Sequence, residues 1–493
     1  MPPAPETPPP PVKLKDEGMQ DEYGDMSGGD LYYQVPDFEL ESGLSLDVRV
    51  AYRTWGTLSP AADNCLFVAH ALTGNAAVDT WWAALLGPGK ALDSSRYFIV
   101  GANMLGSCYG TTSALDEVPK GQAPWVAPRA GTHAEAAGTR YAADFPYVTI
   151  RDTVALHRAL LAHLGVSSVH AVVGGSAGGM QALEWTIMYP SLVKRAVVLA
   201  CGAYQTAWQI AISEGQRQAI YRDPLWNHGF YPLDEPPSHG LAIARQHAMV
   251  WYRSSEAYAS KFGRRLQPAS PGSPAAKALA SSGGGGRGAP DSYAVECYLE
   301  HQGCKFVDRF DANCYVSLTR TLDSHDVGRD RGSVEEVLAG VKQPVTVVGV
   351  TSDVLYPMHM QRELAEHIPR AVLRVVDSVQ GHDAFLLESG VVSAYIQEAL
   401  DGPAGVAMPA HLGEVYAAAT LTSPASKPAS KPAQPTIDLT DHSSEVTKKG
   451  AQKPFQMPTA AVLSLITAEM IAKRKAANLE GIRTAGCLGA VAW

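Results

Sequence analysis

His170-Ala171-Val172-Val173-Gly174-Gly175-Ser176-Ala177-Gly178-Gly179-Met180-Gln181-Ala182-Leu183-Glu184-Trp185 is the stretch on which the fold turns. Its first four residues read as a strand, and Met180 to Trp185 are good helix formers, with Pro190 marking the stop. Between them, residues 174–178 fit G-x-S-x-G, the only match in the chain. Alone the pattern is weak. A strand leading in and a helix leading out is the context that a nucleophile elbow requires. Such a turn is so tight that the flanking positions must be small, as Gly174, Ala177, Gly178 and Gly179 are. A serine held there lifts its hydroxyl above the sheet, and the helix amides beside it can stabilise a developing oxyanion. The competing reading is a glycine-rich turn carrying an idle serine.

Working outward, residues 149–164 predict a helix with Thr149 as N-cap, a Leu156/Leu160/Leu164 stripe widened by Leu161, and Gly165 as stop. Residues 48–54 alternate like a strand, while 66–69, 97–100 and 196–200 are the short apolar runs of a buried sheet. Strand, helix and strand in this rhythm predict the α/β class with a mostly parallel central sheet. From residue 203 to 341 the rhythm breaks into helix-like stretches such as 240–252, and the sheet resumes at 345–350 and 372–376. The expected organisation is a Pro- and acid-rich disordered arm over 1–30, a first core segment over 31–202 and a helical lid over 203–341. The lid carries a flexible Gly/Ser/Pro insertion at about 267–290. A second core segment follows over 342–402, closed by a helix near 391–400. A low-complexity linker and tail occupy 403–493, with an amphipathic helix at 459–478.

The bulk numbers narrow the function. With 493 residues and 46% hydrophobic content the chain can bury a large core. A net charge of −9 argues against nucleic-acid or anionic-membrane binding, and no run of 18 apolar residues predicts a membrane helix. Seven scattered cysteines without a C-x-x-C pair read as reduced thiols of a cytoplasmic enzyme, not as a disulfide framework or zinc site. No secretory signal is visible at the start.

A serine hydroxyl is a poor nucleophile at neutral pH and needs a base oriented by a carboxylate. Behind an elbow of this kind the partners follow in the order Ser, Asp or Glu, His. Asp353 follows the 345–350 strand and His382 follows the 372–376 strand, both where active-site loops gather in open α/β sheets. Taken singly, the competing reading of Asp353 is a turn former or helix cap and that of His382 a surface loop histidine; their order and placement favour the catalytic set. A second oxyanion donor is expected from a loop after an early strand. His70-Ala71-Leu72-Thr73-Gly74 lies there, so the backbone N–H of Leu72 pairs with that of Ala177. His70 precedes Ser176, against the expected order for a base, and is read as a support for the loop.

Further words along the chain are GPGKALD at 87–93, GSCYGTT at 106–112, RQAI at 217–220, RFDANCY at 309–315, SDVLYP at 352–357 and GHDAFLLE at 381–388. With HALTG and GGSAGGMQALEW, over roughly 31–400, the chain resembles the homoserine O-acetyltransferase family of α/β-hydrolases, its fungal-type members in particular. The resemblance implies the α/β-hydrolase fold with an inserted helical lid. It also implies acetyl-CoA as co-substrate, L-homoserine as acceptor, an acetyl-Ser176 intermediate with ping-pong kinetics, and a place in methionine biosynthesis. Arg217 would grip the substrate carboxylate, Asp383 would face the ammonium, and Tyr231 and Thr73 would line the acceptor site. No metal and no permanently bound cofactor are implied, and homodimerisation through the lid is. Read from the residues, the acceptor stays open between homoserine, serine and a deacetylated cephalosporin alcohol. The donor stays open between acetyl- and succinyl-CoA, and an esterase or a non-catalytic binding protein remains a rival.

Overall fold

The computed structural model describes residues 31–119, 140–267 and 292–402. The expected N-terminal arm, the Gly/Ser/Pro insertion beyond Gln267, and the linker and tail helix from 403 onward lie outside the described residues. The strands of the main sheet are β1 (Leu31–Glu39), β2 (Ser45–Trp55), β3 (Cys65–Ala69), β4 (Phe98–Ala102), β5 (Val169–Gly175), β6 (Ala196–Leu199), β7 (Val345–Val350) and β8 (Ala371–Val376). They lie in the order β1-β2-β4-β3-β5-β6-β7-β8. The β1–β2 and β2–β4 pairs are antiparallel, and every later neighbour is parallel.

Residue alternation explains why the central strands read as unbroken apolar runs. Along β3, Cys65, Phe67 and Ala69 join one buried cluster, while Leu66 and Val68 join another on the opposite face. In β5, Val172 faces the first cluster while Ala171 and Val173 face the second. A parallel sheet covered on both sides needs apolar residues at both parities. Helix α1 (Ile150–His163) begins in a capping box in which the Thr149 side chain and Asp152 satisfy each other's backbone amides. Gly165, at φ +78°, follows its end.

Helix α2 (Ala177–Met188) starts three residues earlier than Met180, directly after the elbow serine. Two of those early positions are glycine because neighbours crowd them. A Cβ on Gly178 would sit 2.1 Å from the carbonyl oxygen of Ala69. The first turn of α2 therefore rests on the end of β3, which fixes the distance between the elbow and the loop after β3.

Between β6 and β7 the chain forms α3 (Ala207–Tyr221), α4 (Ser238–Tyr252), α5 (Ser255–Lys261), α6 (Ala294–Val307) and α7 (Ala312–Asp323). Leu266–Gln267 pairs there with Ser292–Tyr293 in a two-residue antiparallel bridge. Helix α8 (Met358–His367) connects β7 to β8, and α9 (Ser389–Asp401) closes the described chain. β1 carries no clear strand signal in the sequence. Pro36 lies within it, and its register shifts between Val35 and Phe38, with Asp37 at φ +49°. A proline and a bulge are tolerated there because β1 is the edge of the sheet.

Substituting Gly178→Ala should push α2 off β3. We expect thermal unfolding to show a loss of about 1–3 kcal/mol or more, where an exposed Gly390→Ala, with nothing within 4 Å of its would-be Cβ, changes stability little.

Candidate active site

Ser176 closes β5 at φ +57°, ψ −122°, a conformation that non-glycine residues rarely adopt. Its amide is held by the carbonyl of Leu199 at 2.9 Å, and its carbonyl accepts from Met180 in the first turn of α2. Ser176 is nearly buried and lines a cavity together with His382 and Asp383. Among the described residues its hydroxyl makes no hydrogen bond in the resting structure.

Asp353 and His382 sit on the loops that leave β7 and β8, which pair in parallel from Ala371 opposite Val345 to Val376 opposite Val350. His382 Nδ1 donates to Asp353 Oδ2 at 2.7 Å. The other carboxylate oxygen, Asp353 Oδ1, accepts from the amides of Leu355 and Tyr356, both at 2.8 Å. The carboxylate is thereby fixed on both sides, and the proton on Nδ1 leaves Nε2 as the basic nitrogen. The imidazole is boxed by the rings of Tyr356, Phe385 and Tyr252, whose centroids lie 5.2, 5.5 and 6.1 Å away.

The helical insert grips this histidine loop. A Cβ on Gly381, at φ +72°, would lie 2.6 Å from the carbonyl carbon of Arg253. Arg253 Nη1 donates to Gln380 Oε1 at 3.0 Å, and Ser254 Oγ donates to the Val379 carbonyl. Arg253 Nε also stands 3.7 Å from Asp383 Oδ2. The insert reaches the loop after β3 as well, through Arg309 Nη1, which donates to Thr73 O at 3.1 Å and to Tyr109 OH at 2.8 Å.

Leu72 and Thr73 line the cavity, and Ala177 directly follows Ser176. As the first residue of α2, Ala177 has no intrahelical acceptor for its N–H. Backbone amides of this kind, left without acceptors beside a nucleophile, can stabilise an oxyanion. His70 acts on the loop as expected from its position. Its Nε2 accepts from Met104 N at 3.0 Å, and Nδ1 donates to Ala71 O at 2.8 Å.

Two expected substrate residues are held by ionic or hydrogen-bonding partners. Arg217 is buried, with its guanidinium held by Glu214 at 2.9 Å and Asp323 at 2.8 Å. Its neighbour Gln216 lines the cavity. Ser213, one helical turn before Arg217, lines it as well. The Tyr231 hydroxyl donates to Asp311 Oδ2 at 2.6 Å and accepts from Asn313 N at 3.0 Å, so it braces the insert. Arg245 of α4 is the arginine that lines the cavity, buried between the rings of Phe306 and Tyr252 at 5.1 and 5.7 Å. The sequence signal was a charged residue on the apolar face of a helix, among Leu241, Ala244, Ala248 and Met249, all buried. Gln205, Gln209, Ser213 and Gln216 add an uncharged polar wall from α3 and the residues before it.

Comparison with known proteins gives this geometry a family. A family model described as the alpha/beta hydrolase fold matches residues 64–389. The homoserine O-acetyltransferase of Trichormus variabilis is 45% identical over 367 residues, covering 74% of this chain and 92% of that one. That of Salinibacter ruber is 47% identical over 359 residues, covering 72% and 92%. Among solved structures, the homoserine O-acetyltransferase from Bacillus anthracis matches with a TM-score of 0.65 at 22% identity, covering 77% of this chain and 98% of that one. At that identity the structural match speaks for the fold. The fold is the α/β-hydrolase fold, as expected.

Burial disfavours the His382 cation, but the charge and hydrogen bond of Asp353, with the charge of Asp383, outweigh it and raise its pKa above the ordinary 6.5. A general base works in its neutral form, so acylation of Ser176 should fall as pH drops through a midpoint above 6.5. With p-nitrophenyl acetate as donor, Asp353→Asn should move that midpoint down and slow the plateau rate about 10³–10⁴-fold. A pH–rate profile of both proteins checks the shift and the loss together.

Proposed function

The chain belongs to the homoserine O-acetyltransferase family of α/β-hydrolases, and on that premise we propose that it transfers the acetyl group of acetyl-CoA to L-homoserine through an ester on Ser176. The observation that carries this reading is a single cavity lined by a serine, a histidine, one guanidinium and one carboxylate: Ser176, His382, Arg245 and Asp383.

Ser176 Oγ attacks the thioester carbonyl while His382 Nε2 takes its proton. Asp353 stabilises the imidazolium, and the amides of Leu72 and Ala177 receive the negative charge on the tetrahedral oxygen. The carbon–sulfur bond breaks, and His382 returns the proton to the departing CoA thiolate. Homoserine then enters with its carboxylate on Arg245 and its ammonium towards Asp383. Thr73 borders the same space. A planar guanidinium matches a carboxylate with two parallel hydrogen bonds. His382 deprotonates the γ-hydroxyl, which attacks the acetyl-serine and releases O-acetyl-L-homoserine, for use in methionine biosynthesis. The kinetics are ping-pong.

Among the described residues lining the cavity, Arg245 is the only arginine or lysine. It matches the single carboxylate of the acceptor and leaves none for the free carboxylate of a succinyl group, which supports acetyl-CoA as donor. The aromatic box around His382 limits water, favouring the amino-acid alcohol over hydrolysis. Among the described residues no helix is long and apolar enough to cross a membrane. The scattered thiols fit a cytoplasmic setting. Dimerisation through the insert is supported by Ile243 and Val250, exposed apolar residues seven positions apart on α4.

Incubated with acetyl-CoA alone, the wild type should gain one acetyl group by intact mass and Ser176→Ala should not. With acceptors offered in parallel, homoserine should discharge the acyl-enzyme faster than serine, a cephalosporin alcohol or water. Equal discharge by water alone would make the protein an esterase. Arg245→Lys should acylate normally yet raise KM for homoserine about tenfold or more, the consequence of losing ~1.4 kcal/mol of carboxylate binding; steady-state kinetics on both substrates reads the split.

A further inference from the structure

We propose that His70 is a positioning residue for the oxyanion hole, locking the Ala71–Leu72 peptide so that its N–H and not its carbonyl is presented to the acyl oxygen on Ser176. The inference rests on the acyl-transfer reading above and assigns a task to a buried imidazole which that mechanism leaves unused.

A trans peptide is rigid, and its C=O and N–H point in opposite directions. Whatever fixes the Ala71 carbonyl therefore aims the Leu72 amide. Two donors fix it: the His70 Nδ1 proton at 2.8 Å and the Gly74 amide at 2.9 Å. The imidazole has one choice of tautomer. Met104 N is a backbone amide that only donates, and it reaches His70 Nε2 at 3.0 Å. Nε2 is thus the bare nitrogen and Nδ1 carries the proton needed for Ala71 O. Met104 lies just past β4, so the ring ties the loop after β3 to its neighbour strand. Burial pushes the His70 pKa down to about 4, so the neutral form that makes both bonds persists across the working range.

The frame extends to the second donor. Gln181 Nε2, on α2, donates to His70 O at 3.3 Å and to Ala177 O at 3.2 Å. One side chain therefore links the residue that aims the Leu72 amide with the residue that supplies the other amide. Without the imidazole, Ala71 O keeps only the Gly74 amide and Met104 N loses its acceptor. The peptide can then rotate, and a carbonyl in place of an N–H repels the developing oxyanion.

The test uses the full chain and three substitutions. His70→Leu removes both bonds, His70→Asn keeps a donor near the Nδ1 position, and His70→Gln keeps an acceptor near the Nε2 position. For acetyl transfer to homoserine we expect kcat of the Leu variant to fall about 10²–10³-fold, with KM for homoserine within about threefold of wild type. Inhibition by propylboronic acid, whose tetrahedral adduct on Ser176 places an oxygen in the same hole, should weaken by the same factor as kcat. The Asn variant should regain about tenfold over Leu and exceed Gln, since the donor to Ala71 O is the essential bond. A Leu variant with kcat near wild type, a loss of kcat without a matching loss of boronate affinity, or a Gln variant equal to or faster than Asn would each overturn the proposal. Should the Leu variant fail to fold, the Asn-to-Gln comparison still decides it. An inactive wild type would instead remove the acyl-transfer reading, which separates the two failures.

Discussion

Asp353 Oδ2 meets His382 Nδ1 at 2.7 Å, and the remainder of the molecule is arranged so that this contact can exist. It requires two loops to leave the sheet side by side, which the parallel, in-register pairing of β7 and β8 provides. It requires the acid to be held from behind, which the amides of Leu355 and Tyr356 accomplish. Ser176 emerges at the same sheet edge, which follows from β5, β6 and β7 being parallel neighbours. The ion pair then raises the basicity of the imidazole against its own burial.

How much of this could be read beforehand depended on whether a residue's role is set locally. The elbow was legible because strand, small residues and helix are contiguous in sequence. Thr149 was legible because capping is a matter of three or four residues. The contact between Asp353 and His382 was legible through chain order and strand ends. The surroundings of Arg217 were not legible for the opposite reason: which face of α3 meets the cavity, and that Asp323 holds its guanidinium, are decided by packing on distant helices. The partners of the Tyr231 hydroxyl, Asp311 and Asn313, lie about eighty residues on, beyond any local reading. β1 was hidden because Pro36 suppresses a strand signal that only an edge position excuses.

The insert contributes more than a cover. Arg253 and Ser254 hold the loop of His382, Arg309 holds the loop of the expected oxyanion donor, and Arg245 enters the cavity itself. The loops bearing reacting groups are thus braced by helices that also line the substrate's space, so the geometry of binding and the geometry of chemistry are set by the same packing. Preorganisation of this sort lowers the reorganisation needed when charge develops.

At the elbow, φ of +57° asks an L-amino acid to sit where a residue without a side chain rests more comfortably. Evolution under pressure for a sturdier globule alone would drift towards glycine at this corner of the sheet. The serine persists as an imposition on the scaffold, tolerated because the surrounding strands over-determine the backbone. On the proposed function, activity and rigidity are therefore antagonists at this one position, so a sequence optimised purely for heat resistance would be expected to lose its hydroxyl here first.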